Sequence, residues 1–255
     1  MKEPEHKIQV KKGERFEFGK NWRAFLNTLT DEKIEIAKKS LIEMLGYQDL
    51  TGKTFLDVGS GSGLFSLVAM KLGATVHSFD FDPDSVKCTQ FLKEKYFPDG
   101  KWTIQEGSVL DREFVNSLGK FDIVYSWGVL HHTGSMYQAL DNVEVAVKDK
   151  GKLFIAIYND QGSKSDRWKT VKKIYNSNFL GKALIVSVYI PFSVLRLLFA
   201  DLRRFKNPFT RYKEYKKERG MSLFYDWFDW LGGLPFEVAS PQAIFEFYQK
   251  KNYSL

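Results

Sequence analysis

The 255-residue sequence has little that could staple it or hold a metal. Its single cysteine, Cys88, excludes an internal disulfide and any cysteine-based zinc cluster, and such sparse usage fits a reducing compartment. Lying between Lys87 and Thr89, Cys88 reads as a partly buried helix residue and not as a nucleophile. The four histidines form no cluster with carboxylates at ligand spacing, so no metal is expected. Repeats and low-complexity tracts are absent. The stretch from Met1 to Arg15 is charged throughout and lacks the apolar core of a secretory signal, so the mature chain is expected to begin near here, in the cytoplasm. The run Ala183 to Leu195 is uncharged, but it holds Pro191 and ends at Arg196. A membrane span needs about 20 apolar residues, so crossing is not expected there.

What is present is a sizeable apolar fraction, 44%, enough to build one α/β domain with an appended or inserted segment. The formal charge of +7 is not spread evenly. Between Arg196 and Arg219 stand nine basic and three acidic residues, so nearly all of the excess belongs to that segment.

Periodicity divides the chain into 1–50, an N-terminal helical segment; 51–160, a core; 161–239, a helical insertion; and 240–255, a last core helix. In the first, Thr30, Asp31 and Glu32 cap and favour a helix whose Ile34, Ala37, Leu41 and Leu45 share one face, ended by Gly46. Upstream, Phe16, Phe18, Trp22 and Phe25 are too aromatic for a loose tail and are expected to pack across the main domain. The core alternates strand and helix signals: strands at Thr54–Val58, Thr75–Asp80, Trp102–Glu106, Phe121–Ser126 and Lys152–Tyr158, with helices at Gly63–Lys71, Pro83–Tyr96, near Arg112 and at Ser135–Val147. This alternation predicts a mostly parallel Rossmann-like sheet with helices on both faces. After the fifth strand it gives way to helical patterning, until Ser240-Pro241 open a last helix.

The segment Phe55-Leu56-Asp57-Val58-Gly59-Ser60-Gly61-Ser62-Gly63 joins the first strand to a helix, and its glycines allow a tight turn and close approach to a ligand. Asp80, ending the second strand about twenty residues on, stands where a carboxylate can accept both hydroxyl protons of a ribose. Asp57 discriminates between ribose-bearing ligands. A dinucleotide sets its pyrophosphate on the helix N-terminus, where a carboxylate would repel it; a ligand carrying an ammonium and a sulfonium gains from the same charge.

With Leu56-Asp57-Val58-Gly59-Ser60-Gly61-Ser62-Gly63, Phe79-Asp80 and Phe121-Asp122-Ile123-Val124-Tyr125-Ser126-Trp127-Gly128-Val129-Leu130-His131-His132, the sequence resembles the class I S-adenosylmethionine-dependent methyltransferases over Phe55 to Tyr158. Within them it is most similar to bacterial small-molecule enzymes of the ubiquinone-biosynthesis type. The resemblance implies S-adenosylmethionine as cofactor, with Gly59, Ser60, Gly61 and Gly63 lining its methionine part, Asp80 holding the ribose and Phe81 flanking the adenine. It also places Ser108 and Val109 at the adenine edge, although an aspartate is common at the Ser108 position. Ser126 and Trp127 are expected to face the glycine loop and close the pocket. The family's sheet normally ends in an antiparallel hairpin after the last helix, whereas this sequence stops at Leu255, so either the sequence is truncated or the sheet is expected to be short at one edge. An uncovered edge would favour a dimer or a covering partner.

Methyl transfer needs positioning more than a nucleophile, and a base only where the acceptor holds a tightly bound proton. His131 and His132 follow the fourth strand and are candidate bases, with a structural turn as the alternative. Tyr158, Asn159 and Asp160 end the fifth strand as candidate acceptor contacts, with capping as the alternative for Asn159 and Asp160. Magnesium held by scattered acids, as in enzymes that orient catechols, stays open. The acceptor is expected to be a small molecule, quinone-like or lipid-like. The alternatives are an RNA methyltransferase, or a non-catalytic or nicotinamide-binding module. Two nucleic-acid subclasses lose ground: Ser126-Trp127-Gly128 replaces the Asn or Asp-Pro-Pro-aromatic motif of adenine N6 enzymes, and Cys88 lacks the Pro-Cys context of cytosine C5 enzymes. Three readings of the insertion follow in order of preference: a lid over the acceptor, with Tyr225, Trp227, Phe228 and Trp230 as lining; a peripheral membrane contact through 183–219; or a basic nucleic-acid surface.

Overall fold

The computed structural model describes residues 5–205, 207, 210 and 223–254; the side chains of 223–225 lie outside the description. The chain opens with three helices, α1 (Glu5–Lys11), α2 (Phe18–Leu26) and α3 (Asp31–Leu45). Thr30 caps α3 by accepting from the Lys33 N–H, and Gly46 ends it in the left-handed conformation at φ 71°.

A wholly parallel sheet follows, built from β1 (Thr54–Val58), β2 (Thr75–Asp80), β3 (Trp102–Glu106), β4 (Phe121–Trp127) and β5 (Val147–Ala156) in the order β3-β2-β1-β4-β5. Parallel neighbours require crossovers, supplied by α4 (Leu64–Lys71), α5 (Pro83–Tyr96), α6 (Arg112–Ser117) and α7 (Met136–Glu144). Alternation along each strand sends neighbouring side chains to opposite faces. Phe55 therefore joins one apolar layer with Leu41, Leu67 and Trp102, while Leu56 and Val58 join the other with Val124, Leu140 and Val143. The direction of strand addition reverses between β1 and β4, which opens a crevice at their carboxyl ends.

The fifth strand differs from the sequence expectation at both ends, stopping at Ala156 and leaving Tyr158 just beyond it. The helix ends at Glu144, and β5 takes Val147 onward with a register shift, pairing Phe121 with Val147 but Ile123 with Lys152. Asp149-Lys150-Gly151 has turn composition, yet with Lys150 at φ 59° the sheet absorbs it as a bulge.

After β5 the chain leaves the sheet for α8 (Ser163–Ser177), α9 (Phe179–Arg203) and α10 (Leu223–Gly232). It returns at Ala239, which bridges in parallel to Asn159: the Ala239 N–H donates to the Tyr158 carbonyl and the Asp160 N–H to the Ala239 carbonyl, both at 3.1 Å. The last helix, α11 (Pro241–Gln249), is capped by Ser240, and Tyr248 Oη donates to the Leu140 carbonyl at 3.0 Å. Among the described residues no antiparallel strand joins the sheet, so β3 and β5 are its edges. Most of the basic run between Arg196 and Arg219 falls outside the described residues, as does the Tyr225 side chain.

Candidate active site

The crevice between β1 and β4 widens into a cavity of about 860 Å³, walled by the glycine loop, the ends of β2, β3 and β4, and the N-terminal helices. The loop keeps its shape through the sheet: the Gly59 and Ser60 N–H groups both donate to the Phe79 carbonyl, at 2.9 and 3.1 Å. Gly61 sits at φ 56°, and a Cβ there would stand 3.0 Å from the Trp22 indole of α2. Gly63 serves packing instead, because a Cβ on it would meet the Thr89 Cα of α5 at 2.8 Å.

Three carboxylates gather beneath this loop. Asp57, 3% exposed, accepts a hydrogen bond from Ser66 Oγ, and burial pushes its carboxyl up to about 7. Asp80 accepts from the Gly61 N–H at 2.8 Å and the Asp82 N–H at 2.9 Å, and burial raises it to about 6. Asp82 holds the N-terminal segment down by accepting from the Gly19 N–H at 2.8 Å, with His6 Nε2 at 3.6 Å. Arg15 is the one lysine or arginine among the described lining residues. Its guanidinium lies 5.0 Å from the centre of the Phe81 ring, donates to the His132 carbonyl at 2.9 Å, and interacts favourably with the charges of Asp80 and Asp82.

The other end of the cavity is aromatic. Tyr158 lines it, with the rings of His131, His132, Trp230 and Phe236 at 4.1, 5.5, 5.5 and 5.6 Å. His132 Nδ1 lies 2.6 Å from the Pro235 carbonyl, which can only accept, so Nδ1 carries the proton and Nε2 keeps its lone pair. Burial lowers His132 to about 4. Asp229 of α10 also lines the cavity; it accepts from Asn21 Nδ2, and burial raises it to about 7. Behind it Lys172 of α8, wholly buried, donates to the Trp230 carbonyl and lies 4.4 Å from the centre of that ring; burial lowers it to about 7.

Of the residues expected from sequence, the structure brings Asp57, Gly59, Ser60, Gly61, Asp80, Phe81, Ser108, Val109, Trp127, His132 and Tyr158 to this one cavity. Others do different work. Ser126 is fully buried and donates to the Val58 carbonyl at 3.0 Å, tying β4 to β1. His131 is 1% exposed, does not line the cavity, and neither ring nitrogen has a hydrogen-bond partner; burial drives its pKa far down. Asn159 and Asp160 also lie off the cavity, engaged by the Ala239 bridge and by a turn in which Asp160 Oδ1 accepts from the Gly162 N–H at 2.8 Å. Sequence reasoning did not assign Arg15, Trp22, Asp82, Lys172 or Asp229 to the site. The signal for Lys172 was there: it interrupts the inward stripe formed by Trp168, Val171 and Tyr175. Among the described residues no group of three or more histidine, cysteine or acidic side chains is placed to hold a metal ion.

Residues 31–180 match a family model described as a methyltransferase domain. A ribosomal protein L11 methyltransferase from Helicobacter hepaticus is 34% identical over 85 residues, which are 32% of this chain and 26% of that protein. A ubiquinone biosynthesis O-methyltransferase from Coxiella burnetii is 28% identical over 110 residues, 43% of this chain and 45% of that one. The chain thus spans less than half the length of these curated relatives. Among solved structures, the magnesium protoporphyrin IX methyltransferase of Synechocystis PCC 6803, with bound SAH, aligns at a TM-score of 0.44 and 17% identity, covering 55% of this chain and 62% of that one.

Proposed function

Starting from the fact that the chain belongs to the methyltransferase-domain family, we propose that it transfers a methyl group from S-adenosylmethionine to a small aromatic acceptor. The observation that carries this reading is the donor set of the cavity: a glycine loop with buried carboxylates at Asp57 and Asp80, against a single basic side chain, Arg15, among the described lining residues. Such a set suits a ribose-bearing cation and opposes a diphosphate. When bound, the cofactor would supply an electrophilic methyl on sulfur, open to displacement by an acceptor's lone pair.

The chain's own residues position and select. Asp80 would take the ribose hydroxyls, Phe81, Ser108 and Val109 the base, and Asp57 with Gly59, Ser60 and Gly61 the cationic end. Trp127, stacked with Phe154 at 6.0 Å, would close the pocket mouth. At the acceptor end, Tyr158 and His132 offer flat apolar walls with a polar rim, which supports an aromatic ring with a hydroxyl or amine. A general base works best with a pKa near the working pH. Burial leaves His132 at about 4, too low to hold a phenolic proton, whereas Asp229 at about 7 is well matched. Asp229 is accordingly assigned as the base, and His132 Nε2 as the hydrogen-bond acceptor that orients the ring.

The test is transfer of tritium-labelled methyl from S-adenosylmethionine by the full chain, offered prenylated phenols in detergent, bulk RNA and ribosomal protein in separate reactions. Label in the phenol is expected. Label confined to RNA or protein would overturn the acceptor class, and failure with every acceptor together with failure to bind the cofactor would overturn the activity.

A further inference from the structure

Helix α9 runs for 25 residues and reaches a mean hydropathy of 2.1 over an 18-residue window, yet only 6% of that window is buried. At about 100° per residue, Leu184, Val188, Phe192, Leu195, Phe199 and Leu202 form a single stripe along the helix. Each is between 59% and 68% exposed. The opposite side faces the protein: Tyr189 meets Trp168 at 5.7 Å and Trp227 at 6.5 Å, and Ser193 and Asp201 are buried. The charges are equally one-sided. Lys182, Arg196, Arg203 and Arg204 are exposed, while the helix's one acid, Asp201, is 2% exposed.

We propose that α9 is a membrane-docking helix that lies in the plane of an anionic lipid surface, its stripe among the acyl chains and its arginines at the headgroups. A continuous apolar face with a cationic margin is the pattern that such surfaces take up. Charge complementarity selects this partner. A second copy docking on the same stripe would bring Lys182, Arg196 and Arg203 of one chain against the same cations of the other, and a nucleic acid would leave the stripe in water. Crossing the bilayer is disfavoured because the Tyr189 side is held by the protein and Asp201 lies on the buried side. Docked in this way, α9 sets the acceptor end of the cavity close beneath the lipid, through Trp168 and Trp230, whose rings are 5.1 Å apart, to Tyr158. The surface assignment stands whether or not the methyl-transfer reading does.

The test is co-sedimentation of the full chain with vesicles of phosphatidylcholine alone and of equimolar phosphatidylcholine and phosphatidylglycerol. Partitioning about tenfold or more higher onto the acidic vesicles is expected, given about 1 kcal/mol per basic residue at an anionic surface. The double variant L195D/F199D, at exposed positions, should remain in the supernatant with an unchanged urea midpoint. R196E/R203E should lose the preference for acidic lipid. Three results would overturn the proposal: no binding to either vesicle, equal binding of wild type and L195D/F199D, or a dimer in vesicle-free sedimentation that L195D/F199D converts to monomer. Retention in cell membranes after alkaline carbonate would do the same, by showing a helix that spans.

Discussion

Replacing Asp57 by Asn isolates the charge on which the cofactor reading depends. The amide keeps an oxygen to accept from Ser66 Oγ but cannot ionise. In the folded protein the carboxyl is raised from 3.8 to about 7, chiefly by burial, so the fold disfavours its charged form. The stability tied to this group is complete below about 3.8 and is lost as pH climbs to about 7. About three pH units at 1.36 kcal/mol each make a total of roughly 4 kcal/mol, of which less than half is lost at pH 5. The advantage of D57N over wild type should therefore widen by roughly 2–3 kcal/mol between pH 5 and pH 8. Urea unfolding of both proteins at the two pH values, without ligand, reads this difference directly. Saturating S-adenosylmethionine should then narrow the gap at pH 8, because a cation beside the carboxylate favours its ionised form and stabilises only the wild type. A gap that stays constant with pH, or shrinks as pH rises, would refute the reasoning.

Three further outcomes are expected. Asp229→Asn should lower kcat by about 10² or more and flatten a pH–rate profile that in wild type falls as pH drops through about 7, where the base protonates; His132→Gln, which keeps an acceptor, should retain that profile. Gly61→Ala combines a left-handed backbone, worth about 1–2 kcal/mol of strain, with a Cβ pressed toward the Trp22 indole; cofactor affinity should fall about tenfold and the tryptophan emission should shift. Arg15→Ala removes the clasp onto the His132 carbonyl and Phe81, so limited proteolysis should cut within the first thirty residues while the core survives, with the cofactor Kd raised about tenfold or more.

Most of the sheet could be read from periodicity, because strand and helix patterns alternate and several helices carry a start signal, as Asp82-Pro83 does for α5 and Ser240-Pro241 for α11. The glycine loop and the two carboxylates at the strand ends were legible for the same reason: strand and turn chemistry fix where Asp57 and Asp80 stand. Local sequence does not show which residue of a consecutive pair faces the ligand. Of His131 and His132 only the second reaches the cavity, and of Ser126 and Trp127 likewise only the second. Contacts from distant segments were the least legible. The aromatics from Phe16 to Phe25 announced packing, but the landing of Trp22 on Gly61 and of Gly19 on Asp82 follows from the tertiary path. Asp229 carries no local mark and Lys172 only its place in the inward stripe of α8, and it is the packing of α8 with α10 that desolvates them.

Calorimetric titration of the full chain with S-adenosylmethionine and, separately, with NAD(P) tests the central electrostatic claim most directly. Saturable binding of the sulfonium compound with no detectable heat from the dinucleotides is predicted. Tight dinucleotide binding without affinity for S-adenosylmethionine would contradict it.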